Sequence, residues 1–191
     1  MENYMEKFKK INGSAQCAFV LAIAEKILQY EELKKENEVY YFAKKTVEVY
    51  WYWLNNEITL DYNDIYSTIG ADEVGEDFSN YCMDLFYKYD YNDIYNKYAL
   101  MLDIFLILAL HIQGKEIEYY NLDINVCELG DEYIEDFIEK TLKQKVISEY
   151  ELHLLLDYLN QKYSYCCKIC RDDVIAAVKN KNKMFIEKGY K

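Results

Sequence analysis

The sequence predicts an all-α protein: a single-domain helical bundle of about seven to nine helices over residues 1–191. Three observations carry that expectation. Proline is absent and glycine is limited to 6 residues in 191, whereas sandwiches and barrels draw on both for their many turns. Apolar residues recur at spacings of three and four along most of the chain, which is one face of a helix. Hydrophobic residues make up 52%, enough to fill the core that one domain of this length encloses.

The elements follow in order. Ser14 is the predicted cap of a helix reaching about Glu36, with Phe19 or Val20, Ile23, Ile27 and Tyr30 on one face. Asn37 caps the next, to about Asn55, whose inner face is Tyr40, Ala43, Val47, Tyr50, Trp51 and Leu54. Trp51 and Trp53 are two residues apart, so Trp51 is expected to be buried and Trp53 partly exposed. Short helices are predicted over 60–69, ended by Gly70, and over 76–89, with Phe78, Cys82, Leu85 and Phe86 inward. Asn92 or Asp93 opens the most apolar helix, which Gly114 ends and whose stretch 99–112 is expected at the centre of the core. With Asp103 inside it and about 14 apolar residues, that stretch falls short of the ~20 needed to cross a bilayer. Residues 115–130 are the least regular and leave a short strand or a loop open. Asp131 starts a helix to about Lys143 with Ile134, Phe137 and Ile138 inward. Ser148 and Glu151 form a predicted capping box ahead of Leu152, Leu155, Leu156 and Leu159. The last helix is expected from Asp172 or Asp173 to about Ile186.

No catalytic constellation emerges, and the sequence reads as a non-enzyme without cofactor or metal. His111 and His153 each lie within an apolar helix, where an imidazole usually packs. No nucleophile elbow, phosphate-cradling Gly loop or calcium loop is present. Cys166, Cys167 and Cys170 contain a C-x-x-C, but zinc would need a second ligand pair and a redox motif a βαβ setting. The plainer expectation is small semi-apolar residues on a helix or its approach, with Cys166 and Cys170, four apart, sharing a face. The start of the chain is charged and lacks a secretory core, so a cytoplasmic location with reduced thiols is expected.

Charge is more informative. The net charge is −12, which repels nucleic acid and anionic membranes and excludes both as partners. The excess is local: residues 56–160 hold 23 acids and 6 lysines, net −17, while 1–55 are neutral and 161–191 carry +5. Within that block Asp61-Tyr62-Asn63-Asp64-Ile65-Tyr66 recurs as Asp90-Tyr91-Asn92-Asp93-Ile94-Tyr95. A shared helix start accounts for the echo, since Asp and Asn cap and the Ile faces inward. The 22 tyrosines accompany 21 lysines against one arginine, as AT-rich coding would produce. Carboxylates interleaved with tyrosines also suit a docking surface for a basic partner, where the rings act as amphipathic anchors. The candidate contacts are Asp61, Tyr62, Asp64, Tyr66, Asp90, Tyr91, Asp93, Tyr95, Asp131, Glu132 and Glu135.

Two segments carry a family resemblance. One is the early helix Cys17-Ala18-Phe19-Val20-Leu21-Ala22-Ile23-Ala24-Glu25-Lys26, the other the end of the next helix, Tyr50-Trp51-Tyr52-Trp53-Leu54. Together with order, spacing and length, they resemble a mostly α-helical family of immunity proteins from bacterial polymorphic toxin systems, including contact-dependent growth inhibition. The resemblance implies a small cytoplasmic protein that binds one cognate toxin protein and blocks it. It brings no motif of functional residues. Many intercellular toxins are nucleases with basic clefts, and an acidic non-catalytic partner would associate with such a cleft quickly. Two other readings remain: an acidic nucleic-acid mimic from a phage or mobile element that blocks a DNA-binding enzyme, and a helical metal or redox protein using Cys166, Cys167 and Cys170.

Overall fold

The computed structural model describes residues 3–35, 37–60, 93–120, 131–163 and 168–179. The protein is all-α: among the described residues there are seven α-helices and one 3-10 turn, and no strand. The helices are α1 (Tyr4–Lys10), α2 (Gly13–Ile27), α3 (Asn37–Leu54), α4 (Asp93–Tyr120), α5 (Asp131–Lys143), α6 (Glu149–Lys162) and α7 (Arg171–Lys179), with the 3-10 turn at Leu33–Lys35. The helices expected over 60–69 and 76–89 lie outside the described residues, apart from Leu60, which is not helical.

Among the described residues the centre of the bundle is α2 rather than the 99–112 stretch of α4. It packs against α3, α4, α6 and α7, and every residue from Cys17 to Ala24 is buried. Its alanines let neighbours approach from several sides, so the helix is apolar all round rather than along one stripe. Its cap is Asn12 rather than Ser14. The Asn12 side chain accepts from the Ala15 amide at 2.8 Å and donates from Nδ2 to the Tyr163 carbonyl at 2.5 Å, a second bond that ties the cap to the end of α6. A short helix unanticipated from the charged N-terminus, α1, precedes it; Asn3 caps that one and Met5 and Phe8 are its buried side.

The helix ends at Ile27 instead of reaching Glu36. The chain then turns so that Leu33 can enter the core. The turn has no proline, and tyrosines hold it. Tyr40 donates its phenol to the Leu28 carbonyl at 3.4 Å and Tyr98 to the Leu33 carbonyl at 3.0 Å. Tyr50 reaches the Phe105 carbonyl at 3.4 Å while its ring stacks on that of Phe105. A long ring with a polar tip thus fills the core and satisfies backbone acceptors that would otherwise be costly to bury.

Helix α3 buries Ala43, Val47, Tyr50, Trp51 and Leu54 as expected, but Trp53 is buried too, at 8% exposure. At 100° per residue these positions cover an arc of ~160°, wide enough to include both tryptophans. Glycine is scarce, so the Schellman closures of α3 and α5 use Asn56 and Lys145, both with φ of 57°. The amides of Glu57 and Asn56 return to the carbonyls of Tyr52 and Trp53, and those of Val146 and Lys145 to Thr141 and Leu142.

Helix α4 runs through Gly114 to Tyr120. One glycine costs a helix only ~1 kcal/mol relative to alanine, and the following Lys-Glu-Ile-Glu favours helix, so Gly114 does not end it. The irregular stretch 115–130 is therefore helical as far as Tyr120, and 121–130 lie outside the described residues. Asp93–Ile112 is long and apolar enough to cross a bilayer by length and composition, but half of its apolar window is buried in the bundle, with Met101, Ile104, Phe105 and Leu108 in the core. The capping box at Ser148 is present, with Leu152, Leu155, Leu156 and Leu159 fully buried behind it. Helix α7 begins at Arg171, and its expected run to Ile186 passes out of the described residues after Lys179.

Candidate functional site

The acid-rich helix α5 is strongly two-sided. Ile134, Phe137, Ile138 and Thr141 are buried, and Thr141 returns its hydroxyl to the Phe137 carbonyl at 2.7 Å. Glu132, Glu135, Asp136 and Glu139 are exposed at helical spacings of three and four. A cluster of three groups pins this helix to α4. Tyr133 donates to Asp103 Oδ1 at 3.0 Å, and Lys140 Nζ lies 3.6 Å from Asp103 Oδ2 and 2.7 Å from Asp136. Burial pushes the Asp103 carboxyl up; Lys140 and the Tyr133 bond offset part of that, while Asp136 adds to it. The Tyr133 phenol is raised by burial and then by Asp103. Tyr133 is therefore a tether for α5 and not an exposed anchor.

Asp136 is neutralised by Lys140, but Glu132, Glu135 and Glu139 form no ion pair among the described residues. Two residues that sequence reasoning missed complete the surface. The Tyr4 phenol of α1 is raised first by burial and then by Glu139, Glu135 and Glu149. Glu139 was legible from the spacing 132, 135, 139. Tyr4 and Glu149 had no local signal, because they lie on α1 and α6 rather than on α5.

The remaining candidates separate. Asp61, Tyr62, Asp64, Tyr66, Asp90 and Tyr91 lie outside the described residues. Asp131 is the first residue of α5, and Glu132 and Glu135 share its outer face. Asp93 is exposed at the first residue of α4, with Oδ2 2.6 Å from Lys97 Nζ, and Tyr95 is half-buried two residues on. Asp93 belongs to a different neighbourhood: the Tyr30 phenol is raised by burial, then by Asp93, Glu151 and Glu32. Glu149 and Glu151, two residues apart in the first turn of α6, thus serve two separate acidic groups.

A cleft of about 200 Å³ lies between α2, α6 and α7, lined by Ala22, Glu25, Lys26, Gln29, Glu151, Ile175 and Val178. Its charges are committed internally. Glu25 Oε1 accepts from Arg171 Nε at 2.8 Å and Trp51 Nε1 at 3.1 Å, and Lys26 pairs with Glu151 at 3.1 Å. Arg171 is the one arginine in the chain.

Among the described residues no three His, Cys, Asp or Glu side chains are placed to hold a metal. Cys17 is buried in α2 and Cys170 is exposed, while Cys166 and Cys167 lie outside the described residues. Residues 168–170 are not helical, so Cys170 lies on the approach to α7, one of the two placements expected for it. His111 sits against Gly13, where an added Cβ would lie 3.8 Å from the ring. His153 differs from the expectation of a satisfied packing residue, since its Nδ1 is buried without a hydrogen-bond partner among the described residues.

Comparison with known protein families, with curated proteins and with solved structures finds no match.

Proposed function

We propose that the protein is a non-catalytic inhibitor, an immunity protein that binds and neutralises a basic, nuclease-type toxin domain. The observation that supports this most is the outer face of α5 with its neighbours. Glu132, Glu135, Glu139 and Glu149 are acidic and without ion-pair partners among the described residues, and the last three all raise the Tyr4 phenol. The Tyr133–Asp103–Lys140 cluster holds that face on a buried helix, so little ordering entropy is lost on docking. Lysines and arginines of a phosphate-binding cleft would meet carboxylates not already neutralised by the protein's own cations. The segments around Asp61, Asp64 and Asp90 belong to the same proposal on sequence grounds alone.

Growth protection tests it. The open reading frame immediately upstream of this gene would be expressed as the toxin, with the protein supplied in trans. Wild type should restore growth, and a variant carrying Glu132→Lys, Glu135→Lys, Glu139→Lys and Glu149→Gln should not, while keeping its helical circular dichroism. Full protection by the folded variant would remove α5 from the interface. Inhibition of unrelated DNA-binding enzymes instead would favour the nucleic-acid mimic.

A further inference from the structure

We propose that the outer face of α3 is a homodimer interface, in which two copies pair this helix antiparallel about a two-fold axis passing between Thr46 and Val47. Tyr41 and Tyr52 are exposed at 65% and 52%. They are eleven residues apart, which on a helix places them within about 20° of one line and ~16 Å apart. Lys45, exposed, and Glu48, half-exposed, lie between them on that stripe. The stripe points away from Ala43, Val47, Tyr50 and Leu54, the side of α3 that enters the core. Neither Lys45 nor Glu48 forms an ion pair among the described residues.

The order of these four residues is self-complementary. Inverting the helix about the midpoint between Thr46 and Val47 exchanges Tyr41 with Tyr52 and Lys45 with Glu48. A two-fold axis there sets each Tyr41 level with Tyr52 of the second copy and each Lys45 level with its Glu48. An isologous contact requires that reciprocity: residue i meets j, and j meets i. Two aromatic pairs flank two ion pairs, and the Tyr41 ring is already braced edge-on by Tyr40 at 5.9 Å. The location suits self-association in a protein of net charge −12, because α3 lies within residues 1–55, which are electrically neutral. The α3 surface shares no residue with the acidic face of α5, and the inference stands independently of the proposed function.

Paired along one helix of 18 residues, the copies bury less than the ~1,200 Å² of a standard interface, so the dimer is weak. Sedimentation equilibrium at ~0.15 M salt, which screens whole-molecule repulsion beyond ~8 Å, should show a monomer–dimer equilibrium between about 10 μM and about 1 mM. Lys45→Glu and Glu48→Lys should each weaken association at least tenfold by setting like charges opposite one another. The charge-swapped double variant should recover it, and Tyr41→Ser with Tyr52→Ser should weaken it again. A wild type that stays monomeric over the whole range would overturn the proposal whatever the variants do. A dimer indifferent to either charge reversal, or one that the swap fails to restore, would overturn it as well.

Discussion

Lys97 and Asp93 form an ion pair of unequal halves. The Lys97 side chain is 4% exposed and that of Asp93 80% exposed, with 2.6 Å between Nζ and Oδ2. The ammonium also lies 4.4 Å from the ring centre of Tyr30. Among the described residues Asp93 is the carboxylate paired with the buried Lys97, and that role competes with its use as a contact for a basic partner. Charge reversal at Asp93 would therefore disturb the fold as well as any interface. Asp93→Asn should cost about 1–2 kcal/mol, less than the loss of a fully buried partner because the carboxylate is largely in water. Lys97→Met should be near neutral, and the double variant should recover most of the loss. Urea unfolding of the three variants checks this.

A second expectation concerns pH. The Asp103 carboxyl is raised in the folded state, chiefly by burial. The folded protein then binds more protons at this site than the unfolded chain between the two carboxyl pKa values, so this site's contribution to stability falls as pH rises through that window. Glu151 acts in the opposite sense. Burial pushes it up, but the Ser148 bonds and Lys26 outweigh that and leave it lowered, so its contribution is present above the unfolded value and is lost as pH falls through the folded one. Asp103→Asn keeps an acceptor for Tyr133 and should remove the first slope while leaving the second. Thermal unfolding midpoints measured from mildly acidic to neutral pH, with and without the substitution, separate the two.

The capping box gives a third. Ser148 accepts from the Glu151 amide at 3.3 Å, and Glu151 Oε2 accepts from the Ser148 amide at 3.0 Å. Ser148→Ala should cost ~1 kcal/mol of unfolding free energy. Because Lys26 also holds Glu151, Glu151→Ala should cost more than Ser148→Ala, and denaturant midpoints will rank them.

Trp53 gives the fourth. It is nearly as buried as Trp51, so both alanine variants should lose stability on the scale of aromatic core truncations, ~3–5 kcal/mol. Trp51→Ala should be the worse of the two, since it also removes the bond that the Trp51 indole donates to Glu25, a carboxylate that Arg171 shares. Chemical denaturation with tyrosine fluorescence or circular dichroism checks the ranking.

Local chemistry was legible in the sequence wherever it decided the structure. The Ser148–Glu151 box, the four leucines behind it and the inner face of α5 follow from spacing and capping alone. Errors arose where tertiary contacts decided. Asn12 prevails over Ser14 because its amide also reaches Tyr163, 151 residues away. The end of α2 depends on phenols from Tyr40 and Tyr98, and the burial of Trp53 on a core wide enough to cover nearly half of α3. Two of the eleven contact candidates, Glu132 and Glu135, share one exposed face, whereas Asp93 is drawn to Lys97 and Tyr30. Glu139 was legible from its helical spacing to Glu132 and Glu135, whereas Tyr4 and Glu149, on other helices, had no local signal.

The central claim is that the acidic face of α5 recruits a basic toxin domain, and the salt dependence of the association rate tests it most directly. Stopped-flow binding to the domain encoded immediately upstream, inactivated for the measurement, would be followed from low salt to ~0.15 M, where screening acts beyond ~8 Å. Wild type should associate markedly more slowly as salt rises, and reversal of Glu132, Glu135 and Glu139 to Lys should both lower the rate and flatten its dependence on salt. A rate that is independent of salt, or one that the three reversals leave unchanged, would contradict the account.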